Sequence, residues 1–207
     1  MSVRENVKPN KISRFLTMVD FTDILMIFSF TVITAIAAKI TIPVRPVPFT
    51  FQTTVVLLSG AFLGAKNGAF SQLLYLMLGC LGLPLFAQIP DSSIGIARLF
   101  GPTGGYLLAF PLGALISGYL VDKLNYNGKG SGIGKFAGIF FSFLLAEFII
   151  ITFGAFYLGA VYLKNFKEAF IAGAAVFIVW SIAKIVLGTG IYFGVNKGIA
   201  KFLKYLS

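Results

Sequence analysis

The sequence predicts an all-α membrane protein of six transmembrane helices with both termini in the cytoplasm. Three observations carry that prediction. Of 207 residues, 57% are hydrophobic and 12% charged, where a soluble domain carries about 25% charge. The mean hydropathy of +0.91 exceeds what one soluble domain of this size can hide inside itself, so lipid must solvate much of the surface. The apolar residues run without the period-two alternation of an outer-membrane barrel, which leaves helices.

A bilayer core takes about 20 helical residues. Six segments supply them, at roughly 22–40, 50–65, 67–86, 103–121, 136–162 and 169–195. The first follows a basic leader and carries Ala35-Ile36-Ala37, which imitates a signal-peptide cleavage site. Glu5, Asp20 and Asp23 in that leader favour a retained span. The second is short for a straight crossing. Ala65-Lys66-Asn67-Gly68 joins it to the third as a tight helical hairpin. Residues 87–102 read as a polar loop bearing Pro and Gly, and 122–135 as a Gly-rich linker between two halves. The whole chain, 1–207, reads as a single integral membrane domain with residues 1–21 as an N-terminal cytoplasmic segment.

Lys and Arg set the orientation. With the N-terminus inside, the inner segments hold Arg4, Lys8, Lys11, Arg14, Lys66, Lys123, Lys129, Lys135, Lys197, Lys201 and Lys204. The outer ones hold Lys39, Arg45, Arg98, Lys164 and Lys167. That excess places the termini and the 122–135 linker in the cytoplasm. The net charge of +10 is spread between apolar runs rather than gathered in a patch, which fits a membrane and not nucleic acid.

Much chemistry is excluded by composition. No histidine and a single cysteine, Cys80, leave no material for a zinc, haem or iron–sulfur site, so no metal or cofactor is expected. Gly134-Lys135 lacks the spacing and the following Ser or Thr of a phosphate loop. The spans hold one clear acid, Glu147, too little for most membrane enzymes. The chain reads as a binder without an engine of its own, and not as an enzyme.

Charges inside a membrane are costly and face a cavity or a partner. Lys184 needs an anion, either on a ligand or on Glu147 of the preceding span. Glu147 can accept from a ligand N–H, pair with Lys184 or dock a partner subunit. Arg98 is a solvated loop cation or a bidentate grip on a carboxylate. It precedes Gly101-Pro102-Thr103-Gly104-Gly105-Tyr106, where Gly101, Gly104 and Gly105 allow close backbone approach and N–H groups at the start of the fourth span can bind polar atoms. Gln52, at the opening of an apolar helix, reads a ligand or caps the helix. Tyr106 and Trp180 offer flat walls for a ring. Thr31 with Ala35, at a spacing of four, permits close helix contact, internal or with another subunit.

Four stretches together resemble a known family. They are Val44-Arg45-Pro46-Val47-Pro48-Phe49-Thr50-Phe51-Gln52-Thr53; Leu63-Gly64-Ala65-Lys66-Asn67-Gly68-Ala69; Leu78-Gly79 with Gly82-Leu83-Pro84-Leu85-Phe86-Ala87; and Gly101-Pro102-Thr103-Gly104-Gly105-Tyr106. In order and spacing they are similar to the BioY family, the biotin-binding S components of energy-coupling factor transporters. The likeness spans about 22–121.

The resemblance implies a six-helix S-component fold with the ligand near the outer face of a prokaryotic cytoplasmic membrane. It implies a transmembrane coupling subunit and two ATPases as partners, with Thr31 and Ala35 where that subunit docks. The expected site residues are Gln52, Arg98, Thr103, Gly104, Tyr106, Glu147, Ser181 and Lys184, under the 43–50 and 87–102 loops. An S component for another small vitamin, a membrane assembly subunit and a membrane enzyme are the rivals. One departure stands out. Where the family enters its last span through Pro-Gly-Asp, with Lys three residues on, this chain has Val179-Trp180-Ser181 and Lys184. The Lys stays and the Asp is gone. That leaves Lys184 freer for an external carboxylate and removes an acceptor that Glu147, Gln52 or Ser181 is left to replace.

Overall fold

A computed structural model describes residues 20–88, 93–126 and 132–206. The chain runs α1 (Phe21–Lys39), β1 (Thr41–Ile42), β2 (Phe49–Thr50), α2 (Gln52–Cys80), a 3-10 turn (Gly95–Phe100), α3 (Gly104–Tyr126) and α4 (Ile133–Tyr157). A π-helical turn (Leu158–Tyr162), the short α5 (Phe166–Phe170), a second π-helical turn (Ile171–Ala175) and α6 (Phe177–Leu206) complete it. Among the described residues, four stretches are long and apolar enough to cross a bilayer: Phe21–Lys39, Gly104–Leu124, Ile133–Tyr162 and Phe166–Gly198. Their outward sides are apolar; Phe141, Phe148 and Phe156 on α4 are each more than 60% exposed. A membrane is the only solvent that suits such a surface.

The predicted hairpin of the second and third spans is present, with its turn moved. The chain breaks at Gly64, where φ is +77°, a conformation that a side chain disfavours. Residues 52–63 and 65–80 are the two arms. Gly68 belongs to the packing between them instead of to the turn: a Cβ placed there would lie 2.6 Å from the Gly60 Cα. Helix α3 fits into the same notch, since a Cβ on Gly60 would lie 2.0 Å from the Ala114 carbonyl oxygen.

Lipid gives helices no hydrophobic reason to associate, so small residues and hydrogen bonds hold them. The Thr31 hydroxyl donates to the Ser71 carbonyl at 2.9 Å. Gln72 Nε2 donates to Thr34 and to Ser59, each at 3.2 Å. Ser117 donates to the Leu57 carbonyl at 2.8 Å. Thr31 and Ala35, expected where a partner docks, are thus buried against the second arm of α2.

Three boundaries differ from expectation. The second arm of α2 stops at Cys80, where the third span was expected to continue to 86, because Gly82 takes φ +99° and Pro84 has no N–H to donate. The apolar Leu81, Leu83 and Leu85 belong to a turn. The 122–135 linker is shortened from both sides, α3 reaching Tyr126 and α4 starting at Ile133. The loop after α1 contains a minimal antiparallel ribbon, Thr41 opposite Thr50 and Ile42 opposite Phe49, which the all-α expectation missed. The basic residues Arg4, Lys8, Lys11, Arg14 and Lys129, the segment 1–19 and the loop residues 89–92 lie outside the described residues.

The glycine notch yields a paired test. Gly60→Ala should destabilise the protein by about 1–3 kcal/mol through overpacking. Gly190→Ala, in α6 with nothing within 4 Å of its added methyl, should be neutral or stabilise by up to about 1 kcal/mol through helix propensity. Thermal unfolding in detergent compares the two.

Candidate functional site

The sixth helix brings Lys184 to the fourth helix's Glu147. Lys184 Nζ lies 3.0 Å from Glu147 Oε1, and both side chains are about 95% or more buried. The same oxygen accepts from Thr53 Oγ1 at 3.0 Å and from Ser181 Oγ at 3.0 Å. Lys184 also donates to Thr53. Three elements, α2, α4 and α6, therefore meet on one carboxylate oxygen. The other oxygen, Oε2, is buried without a hydrogen-bond partner among the described residues.

This cluster lines a cavity of about 50 Å³. Glu147, Lys184, Thr53 and Gln52 contribute to its wall, with the apolar Phe110, Ile150 and Phe177 and with Val47, Pro48 and Thr50 from the first loop. Arg98, Phe86 and Ala87 line it as well. Arg98 is 4% exposed and donates to the Ala87 carbonyl. It has no carboxylate partner among the described residues. Burial lowers the pKa of its guanidinium from the ordinary value, and the Tyr75 phenol opposes that shift. Thr103 also lines the cavity, and its hydroxyl oxygen is buried with no partner among the described residues.

Tyr106 is a wall residue set by its backbone surroundings. Its ring rests where Gly154 has no side chain; a Cβ there would lie 2.2 Å from the ring. Its hydroxyl donates to the Gly173 carbonyl at 2.6 Å, within the second π-helical turn, where the helix's own bonding is irregular.

The structure thus gathers Gln52, Arg98, Thr103, Tyr106, Glu147 and Lys184 around one cavity, with Ser181 behind Glu147. Gly104 stands apart from the lining: its missing side chain lets α3 seat on the Leu99 carbonyl, 1.8 Å from where a Cβ would be. Trp180 does not line the cavity either. It packs on Phe49 and Phe51 and so supports the first loop. The Gln52 amide is committed to the Tyr75 hydroxyl at 2.6 Å. Lys184 is not left free by the loss of the acid at position 181, because Glu147 supplies the countercharge from α4.

Sequence reasoning missed Thr53, Tyr75, Phe86 and Phe110. Thr53 directly follows Gln52, but nothing local tells that its hydroxyl bridges two charges from the distant half of the chain.

A family model described as the BioY family matches residues 9–201. The chain belongs to the BioY family. It is 35% identical over 162 residues to the probable biotin transporter BioY of Pyrococcus horikoshii, covering 78% of this chain and 88% of that one. It is 36% identical over 158 residues to the biotin transporter BioY of Thermotoga maritima, covering 76% and 86%. A solved S-component for biotin from an ECF-type ABC transporter shares the fold, with a TM-score of 0.72 at 24% identity over 85% of this chain and 91% of that one. The four sequence stretches that resembled BioY are therefore part of a match along nearly the whole chain, second half included. The relatives are transporters rather than enzymes.

The buried pair makes its own prediction in this BioY chain. Lys184→Met should cost about 3–5 kcal/mol, since it strands a buried carboxylate. Adding Glu147→Gln should recover most of that loss, because a neutral pair needs no countercharge. Thermal midpoints in detergent for the two single variants and the double variant check it.

Proposed function

We propose that this protein is the substrate-binding component of a vitamin uptake transporter in a prokaryotic cytoplasmic membrane, with biotin as its substrate. The observation that carries the reading is the polarity of the cavity. Its lining includes Glu147, whose buried Oε2 has no hydrogen-bond partner among the described residues. It also includes a buried cation, Arg98, without a carboxylate partner among the described residues. Aromatic and aliphatic side chains make up most of the rest. That pattern suits a ligand with N–H donors on an apolar ring at one end and a carboxylate at the other. Biotin has this form, and the transporters named among the relatives carry biotin in their names.

In this reading the ureido N–H groups donate to Glu147 Oε2. The carboxylate goes to Arg98, because Lys184 is already neutralised by Glu147. Glu147 thereby takes over the acceptor role of the Asp absent at Ser181. The hairpin arms of α2 join the four long helices to make six crossings, both termini being cytoplasmic. The protein binds and releases its cargo without chemistry; a transmembrane coupling subunit and two ATPases supply the energy. The coupling subunit meets the outward face of α1, since Thr31 and Ala35 are already packed on α2.

Calorimetry on detergent-solubilised protein tests the reading with biotin beside desthiobiotin, thiamine and riboflavin. Tight, selective biotin binding is expected, and a folded sample that ignores biotin overturns it. Arg98→Met should weaken biotin by about 10- to 150-fold, the worth of hydrogen bonds to a charged group. Biotin methyl ester should bind the wild type with a similar loss and show little further loss on the variant. A full additional loss would place the carboxylate elsewhere.

A further inference from the structure

The turn after α2 is held in an unusual way. Four consecutive backbone carbonyls, those of residues 84–87, each accept from a side chain. Lys39 Nζ, at the end of α1, donates to Pro84 at 2.6 Å and to Phe86 at 3.0 Å. The Tyr75 hydroxyl donates to Leu85 at 3.2 Å. Arg98 donates to Ala87. Two of the three donors are cations.

This strap lies between two spaces. Inside is the cavity of about 50 Å³. Beside it is a second pocket of about 110 Å³, lined by Lys39, Pro84, Gln88 and Ile94 among others. Phe86, Ala87 and Arg98 border both. The inner cavity is far below the roughly 300–1,000 Å³ of a small-molecule site, so a ligand enters only if a wall yields. The Phe86 ring is set edge-on to Tyr75 at 5.5 Å, and Gly79 leaves the room in which it sits.

We propose that the 84–87 strap is the gate between the second pocket and the inner cavity, and that Lys39 is its latch. Lys39 does not line the inner cavity. It is a positioning residue, acting through the Phe86 and Ala87 backbone. Its two bonds keep the strap shut while the ligand is absent and again after the ligand is seated. Arg98 couples the gate to the cargo. A carboxylate arriving at its guanidinium makes a stronger, charge-assisted pair than the neutral Ala87 carbonyl does, and so frees one of the four anchors. Removing the latch should speed passage both ways and leave affinity nearly unchanged, because open and closed routes lead to the same bound state.

The inference rests on the cavity being the ligand site, and the test separates the two. Thr103→Cys on a Cys80→Ser background puts one thiol in the inner cavity. A membrane-impermeant methanethiosulfonate reports access to it without any ligand. Lys39→Met should raise the labelling rate about tenfold, while Lys39→Arg, which keeps a donor, should stay within about twofold of the parent. A control thiol at Thr189, buried in α6 away from the strap, should label no faster in either variant. An unchanged rate in Lys39→Met overturns the latch. So does an equal rise in Lys39→Arg or at Thr189, which marks general loosening. Biotin kinetics complete the case: association and dissociation should both quicken about tenfold in Lys39→Met, with Kd within about threefold. A change confined to dissociation would make Lys39 a ligand contact and overturn the gate. If the parent binds no biotin, the proposed substrate falls, and the labelling result still decides the gate.

Discussion

A carboxylate and an ammonium buried within a membrane protein organise the rest of this structure. Neither Glu147 nor Lys184 can be left alone there, because an isolated charge away from water is too costly. Their meeting fixes α4 against α6, and Thr53 draws the first arm of α2 to the same point. Three donors crowd one carboxylate oxygen, and the second oxygen is left buried without a hydrogen-bond partner among the described residues. Structure and candidate binding chemistry are thus parts of one arrangement.

Around that pair the helices obey the rules of a lipid solvent. Their contacts use glycines, serines and threonines, and the large apolar side chains mostly face outward. Close packing then does what hydrophobic burial does in water. Gly60 and Gly68 bring the hairpin arms together, and α3 closes on the notch between them. The cost of this economy is irregular backbone above the cavity. The π-helical turn at Ile171–Ala175 and the turn after Cys80 leave carbonyls that side chains satisfy. Tyr106, Tyr75, Lys39 and Arg98 do so, and each of these four lines the inner cavity or bonds a residue that does. Backbone satisfaction and ligand access are consequently coupled.

The sequence made the fold class and most of the element plan legible, because hydropathy over long runs reports directly on lipid exposure. It failed where apolar composition and backbone geometry conflict. Leu81, Leu83 and Leu85 look like span, but Gly82 and Pro84 decide the turn. The hairpin was readable from length alone, while its turn residue was not, since Gly64 and Gly68 look alike in a string and differ in φ and neighbours. The site was legible as a set of expensive residues. Arg98, Glu147 and Lys184 stood out because charge in an apolar chain is rare. Trp180 was misread as wall because aromatic character carries no direction.

By itself, then, the sequence determined that this chain lives in lipid, that it is helical, that it carries no resident metal chemistry of histidine or cysteine clusters, and that its few buried charges matter. Family membership followed from motifs whose order and spacing are local properties of the string. Tertiary structure alone decided which charge answers which. Lys184 and Glu147 are 37 residues apart, and whether Lys184 faces a ligand or a partner side chain depends on how α4 and α6 pack. It also decided that Arg98 lines the cavity without a carboxylate partner among the described residues and that Lys39 reaches the strap across 45 and 47 residues. Such pairings are set by packing between distant segments, and no local pattern in the chain encodes them.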